Sequence, residues 1–318
     1  MSFSDIKGQD KAVKLLKTAI RNNKISHAYV FAGPKGVGRS LLARNFAKAV
    51  NCLDKEDAPC DSCLACKKID KNIHPDVRWI EKDENSGEIK INQIRELENQ
   101  MFLKPYEGKY KVFIIVDAEL MNIEAANSFL KTLEEPPQDS LLILIVEKLK
   151  DLPLTIVSRC QLIRLRPLET AEVTAILVNE YGINQNKAEL LSRISEGRLG
   201  KVIGCECDIL NWRNCVFEEF SDDECIEDYT IENRTELSRK LNVLASWYRD
   251  LLVFKTTQDR NLLINVDKIN DIKKQAISHK PYELMRMFES VLHTKERIED
   301  NVNPKLALSV MFKGMSRE

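Results

Sequence analysis

The sequence contains no stretch of 18 or more apolar residues. Its longest apolar run is residues 141–146, so nothing in it reads as a membrane-spanning helix. No secretory leader is expected either, since Met1-Ser2-Phe3-Ser4-Asp5 is polar, and a soluble, cytoplasmic protein is expected. Net charge is nearly absent, with 48 Lys and Arg against 49 Asp and Glu, which excludes a globally basic nucleic-acid binder. The balance is uneven along the chain. Residues 1–50 hold ten Lys/Arg against two Asp/Glu, whereas residues 206–232 hold ten Asp/Glu against one Arg. The first excess suits phosphate, and the second reads as a solvated face or loop. Nine cysteines make an odd number for a disulfide framework in 318 residues, so reduced thiols or metal ligands are expected. The length leaves room for about two or three domains.

One lysine is missing where a pattern demands it. Gly33-Pro34-Lys35-Gly36-Val37-Gly38-Arg39-Ser40 follows a short apolar run at 28–32 and leads into an amphipathic pattern at 41–50. That is the strand, loop and helix context of a phosphate-binding loop. The glycines let successive N–H groups face phosphate oxygens, and the serine of the pattern holds magnesium. Ser40 is in place, but Arg39 stands where the pattern's lysine belongs, and a planar guanidinium does not replace a compact ammonium. Gly33, Gly36, Gly38, Arg39 and Ser40 therefore form a degenerate nucleotide site, completed by Asp117 at the end of the apolar run 111–117. Asp117 either contacts magnesium or caps the segment after it. A glutamate to polarise water is missing next to it: Ala118 follows, and Glu119 comes one position later, directed elsewhere.

Between loop and acid lies a small insertion in which Cys60, Cys63 and Cys66 are spaced C-x-x-C-x-x-C, with Cys52 at the end of the preceding helix. Four thiolates bind one Zn²⁺ at about 2.3 Å each and leave no open position, so the zinc is read as structural. His74 is left to a loop or capping role. Strand patterns at 77–80, 111–117, 141–146 and 162–165 alternate with helical ones, including 127–135, which Pro136-Pro137 stops. They give a doubly wound α/β domain ending near Pro167. Helical patterns then follow at 169–181, 186–195, 197–204, 234–255 and 282–302, with Trp212, Trp247 and Phe288 as core residues.

His27-Ala28-Tyr29, the phosphate-loop region, the four-cysteine module, residues 130–137, Ser158-Arg159-Cys160 and Asn303-Pro304-Lys305-Leu306 together carry a family likeness. Over nearly its whole length the chain resembles the delta-prime family of clamp-loader subunits of bacterial DNA polymerase III. The resemblance implies an AAA+ (P-loop NTPase-like) α/β domain at 1–167 with its zinc module at 52–66. It also implies a helical lid at 168–206 and an all-α collar at 207–318 through which five subunits assemble. The related tau/gamma motor is similar in all of this. Against the motor's pattern this sequence departs at Arg39, at Ala118 and at Gly197-Arg198-Leu199-Gly200, where a lid arginine aligns with about Gly200. A further departure is Val146-Glu147, in place of a threonine-rich sensor.

The implied function is a stator that does not hydrolyse ATP. Arg159, supported by Ser158, would reach the ATP site of a neighbouring motor subunit, an arrangement that can be worth roughly 10³- to 10⁵-fold in rate. The bland alternative for Arg159 is a surface salt bridge, and Cys160 reads as a packing residue. The implied partners are tau/gamma and delta subunits, with the sliding clamp and primed DNA engaged through the complex. The ATP-hydrolysing motor itself and a zinc-stabilised nucleic-acid module remain alternatives. Whether the loop still binds ATP with Mg²⁺ is left open.

Overall fold

The computed structural model describes residues 2–54, 58–203, 206–220, 233–300 and 302–315, with the side chains of 206 and 207 excepted. Of the acidic stretch, residues 221–232 lie outside the described residues, as does the end of the 197–204 pattern. The chain divides into two compact units: Met1–Leu168 with Arg198–Gly200, and Glu169–Gly197 with Lys201–Glu318.

The first unit is built on a five-stranded, all-parallel sheet in the order β2-β3-β4-β1-β5. Its strands are β1 (Ala28–Ala32), β2 (Val77–Ile80), β3 (Lys111–Ile115), β4 (Ser140–Val146) and β5 (Gln161–Arg164). Parallel strands need crossover helices, which cover both faces and demand apolar side chains in both directions. Alternate residues of each central strand serve opposite cores. Tyr29, Phe31, Val112, Ile114, Leu141, Ile143 and Ile145 join one core with α1 (Asp10–Arg21) and α2 (Arg39–Asn51). Val30, Phe113, Ile115, Leu142, Leu144 and Val146 join the other with α4 (Ile91–Met101) and α5 (Ile123–Glu134). Between α2 and β2 sits α3 (Leu64–Asp70), and α6 (Leu154–Val157) precedes β5. Helix α5 starts where the Asn122 side chain accepts the Ala125 N–H at 2.9 Å and stops just short of Pro136. The carboxyl ends of β1, β3 and β4 share one edge of the sheet, so the loops beginning at Gly33, Val116 and Glu147 converge there.

The second unit is helical: α7 (Thr170–Asn179), α8 (Gln185–Ser195), α9 (Glu206–Glu219), α10 (Arg234–Thr257), α11 (Ile269–Ser278), α12 (Pro281–Glu299) and α13 (Pro304–Met315). Leu237, Leu241 and Leu244 of α10 pack with Val291, Ile298 and Leu308, and Phe288 lies against this cluster. Leu190 of α8 joins a second cluster with Leu251, Leu263, Ile272 and Leu284, on which Trp247 packs. Asp250 is fully buried and accepts N–H groups from Ile264 (3.0 Å) and Asn265 (2.7 Å), tying α10 to the loop after it. The 197–204 pattern forms no α-helix among the described residues. It gives a single 3₁₀ turn, Leu199–Lys201. No helix of the described residues is long and apolar enough to cross a membrane.

Candidate functional site

The phosphate loop begins as β1 ends. Gly33 donates its N–H to the Val146 carbonyl at 3.2 Å and passes so close to the residue after β5 that a Cβ would lie 2.5 Å from the Leu165 carbonyl oxygen, so this position needs glycine. Gly36 and Gly38 have φ of 90° and 99°, and Gly38 opens α2. Arg39 then points into the domain rather than outward. It is 6% exposed, its Nη2 lies 4.0 Å from Asp117 Oδ1, and its Nη1 has no hydrogen-bond partner. Burial pulls its pKa down, against the opposing pull of Asp117, Glu119 and Glu147. Lys35 Nζ bonds the other Asp117 oxygen at 3.1 Å, and Ser40 is exposed. Glu119 Oε1 accepts the Glu147 N–H at 2.9 Å. Arg198 is pulled down in pKa by its own burial, opposed by Glu147.

Three cations, Lys35, Arg39 and Arg198, thus share this edge with three acids, Asp117, Glu119 and Glu147. Asp117, expected from the sequence either to contact magnesium or to cap the next segment, is already bonded to an ammonium. The loop is also met by backbone: Gly200 donates its N–H to the Gly36 carbonyl at 2.9 Å, and a Cβ there would fall 3.0 Å from that oxygen. Gly200, at about the position where the family resemblance implies a motor's lid arginine, therefore lies against the phosphate loop with no side chain.

Arg159 lies away from this edge, on the turn between α6 and β5. Its Nη1 donates to the Thr155 carbonyl at 2.9 Å and its Nη2 to Glu134 Oε1 at 2.6 Å, with the side chain 36% exposed. Neither partner belongs to the phosphate loop. Ser158 Oγ donates to the same Thr155 carbonyl at 3.1 Å, which fixes the turn. Cys160 packs against the sheet core, and burial pushes its thiol up to about 12, so it is a neutral packing group rather than a nucleophile.

The four cysteines converge. Cys52 ends α2, Cys63 opens α3, Cys66 lies within it, and Cys60 precedes both. Their sulfurs all lie within 4.8 Å of one another, with Cys60 and Cys66 Sγ 4.0 Å apart. A tetrahedron with bonds of about 2.3 Å has edges of about 3.8 Å, so the four sulfurs fit a single Zn²⁺. The Cys63 and Cys66 N–H groups donate to the Cys60 and Cys63 sulfurs at 3.2 and 3.5 Å, as ligating thiolates require. The Ser62 side chain, opposed by slight burial and helped by the Cys63 N–H, brings the Cys60 thiol down to about 6, while burial pushes Cys66 up. His74 is not in the cluster: its Nδ1 accepts the Asp76 N–H at 3.1 Å.

Several residues escaped sequence reasoning. Lys48, 0% exposed on α2, is paired with Asp61 and with Asp70 at 2.9 Å, linking the cysteine module to the helix below the phosphate loop. The available signal was one lysine among Leu42, Phe46, Ala49 and Val50. The pairings of Glu134 with Arg159, Lys35 with Asp117 and Glu147 with Glu119 left no such signal, because the partners are distant in sequence.

Known proteins match the chain over both units. Residues 8–169 match the family model described as DNA polymerase III, delta subunit, and residues 228–313 match the one for its C-terminal part. The delta′ subunit of DNA polymerase III from Bacillus subtilis is 32% identical over 311 residues, which span 93% of this chain and 92% of that protein. The tau subunit of the same organism is 26% identical over 342 residues, 97% of this chain but 60% of tau, so the chain spans less than two thirds of tau's length. Among solved structures, a gamma-subunit-related protein from Thermotoga maritima covers 96% of this chain and 99% of its own, at 17% identity and a TM-score of 0.43. Sequence likeness over both units, together with the parallel sheet and the four-cysteine centre, settles the family: the chain belongs to the delta-prime family of DNA polymerase III clamp-loader subunits.

Proposed function

We propose that this chain is the stator of a clamp loader, one that does not itself hydrolyse ATP. It completes a neighbouring motor subunit's ATP site with Arg159 and helps to load the sliding clamp onto primed DNA. In this reading residues 1–167 are the nucleotide-binding-type domain, 168–206 the lid and 207–318 the collar. Its partners are tau/gamma and delta subunits in the cytoplasm, and Cys52, Cys60, Cys63 and Cys66 hold a structural Zn²⁺. The observation that carries it is the internal pairing of the phosphate loop: Arg39 is buried toward Asp117, and Lys35 holds that same carboxylate. A loop spent on its own acids is a poor place to build charge on a γ-phosphate, and Ala118 supplies no base.

The test is reconstitution with the motor and delta subunits. Arg159→Ala is expected to lower DNA-stimulated ATP turnover and clamp loading by at least about tenfold. Unchanged turnover would remove the arginine from the mechanism. The likeness to tau over 97% of this chain favours a second reading, the motor itself. ATP turnover by the isolated chain, lost on Arg39→Ala, would establish that reading instead.

A further inference from the structure

Arg159 is clasped rather than free, and the clasp has a built origin. An arginine side chain has several rotatable bonds, and a finger that must meet a phosphoryl group in another chain works only if few of its rotamers are wasted. Here the guanidinium is gripped at both ends: Nη1 by the Thr155 carbonyl at 2.9 Å and Nη2 by Glu134 Oε1 at 2.6 Å. Two of its five N–H donors are used, and three remain for phosphoryl oxygens.

Both anchors stand on fixed ground. Glu134 is the last residue of α5, two positions after Thr132, whose Oγ1 donates to Glu98 of α4 at 3.0 Å. Ser128, one turn earlier, donates to the same carboxylate at 3.2 Å. Leu133 is buried, and Pro136 prevents α5 from running on. On the other side, Thr155 precedes the buried Ile156 in α6. The clasp itself is exposed, with Glu134 at 53%, so a second chain can approach it. We propose that Glu134 is a positioning residue, holding the Arg159 guanidinium ready for the neighbouring subunit's ATP. This rests on the reading of Arg159 as a finger in trans. Because an exposed ion pair adds little to stability, removing the carboxylate leaves the fold intact and its functional effect can be read separately.

The experiment uses the complete reconstituted loader with motor and delta subunits, and compares wild type, Arg159→Ala, Glu134→Ala, Glu134→Gln and the double alanine variant. Glu134→Ala is expected to lower kcat for DNA-dependent ATP turnover about 5- to 20-fold, with KM for ATP changed less than about twofold. Glu134→Gln, which retains an acceptor oxygen, falls between it and wild type. In the Arg159→Ala background Glu134→Ala adds no further loss, and all four variants keep the wild-type melting temperature. Should Arg159→Ala be harmless, the finger reading falls and the positioning role with it. Should Arg159→Ala be impaired while Glu134→Ala turns over at or above the wild-type rate, or adds its full effect to the double variant, the positioning role alone is overturned.

Discussion

Replacing Lys48 by methionine tests whether the cysteine module stabilises the domain that carries the phosphate loop. The ammonium is 0% exposed, paired with Asp61 and held 2.9 Å from Asp70 Oδ2. A unit pair near 3 Å at an effective dielectric of about 20 gives about 5 kcal/mol of attraction, of which desolvation takes back several. Removing one partner of a buried pair costs about 3–5 kcal/mol. Both aspartate side chains are 32% exposed, so water takes over part of their solvation, and about 2–3 kcal/mol is the expected loss. Methionine keeps the packing of the stem, so the loss reports the charge. For a unit of this size that lowers the melting temperature by about 5–10 °C. Zinc release to a chelator should accelerate about tenfold or more, since Asp61 lies between two of the cysteines.

The pH dependence carries a definite sign. Burial acts to lower the Lys48 pKa, but Asp61 and Asp70 outweigh it and hold it above the ordinary 10.5. A pKa raised in the folded state contributes fully below about pH 10.5 and fades as pH rises through the higher folded value. Wild type and variant should therefore differ at pH 7 and converge only in strong alkali. A variant melting within about 1 °C of wild type at pH 7, with unchanged zinc release, would refute the reasoning.

Three further outcomes are expected. Magnesium-ATP should leave the melting temperature of the isolated chain unmoved in differential scanning fluorimetry, whereas a ligand at a hundred times its Kd would add about 2.7 kcal/mol. Asp76→Ala should cost about 3–5 kcal/mol in urea unfolding at pH 7, because the buried carboxylate accepts N–H groups from Tyr106, Glu107 and Gly108 at 2.7, 2.8 and 2.9 Å. Burial works to raise the Asp76 pKa, but those three N–H bonds outweigh it. With the folded value below 3.8, its contribution is complete above about pH 4 and lost as pH falls through that lower value, a dependence Asp76→Asn should abolish. Cys66→Ser should reduce zinc, by elemental analysis of protein purified without chelator, from about one ion per chain to a small fraction of that.

How much of this was legible in the sequence depended on whether the governing interaction was local. Strands β1, β3 and β4 read directly as apolar runs because both their faces are buried. The phosphate loop and the cysteines read from spacing, and the end of α5 from two prolines. Helices α3 and α11 did not, being short and rich in polar residues such as Lys67, Lys68, Lys273 and Lys274. The 197–204 segment showed a helical pattern, yet Gly200 is drawn against Gly36, some 160 residues away, and among the described residues only a 3₁₀ turn forms there. The pairs that give the site its character, Lys35 with Asp117 and Arg159 with Glu134, join residues 82 and 25 apart. No periodicity encodes such a partner. Arg39 was readable as a departure, but its burial toward Asp117 was not.

Helix α2 has a consequence for how such a chain can change over generations. It is 13 residues, about 20 Å, with the phosphate loop at one end and Cys52 at the other, and Lys48 is tied down near the cysteine. The helix is therefore secured at the end remote from any nucleotide. A substitution at residue 39 can therefore arise without the domain losing its footing, because the anchorage at Lys48 and Cys52 lies at the other end of the helix.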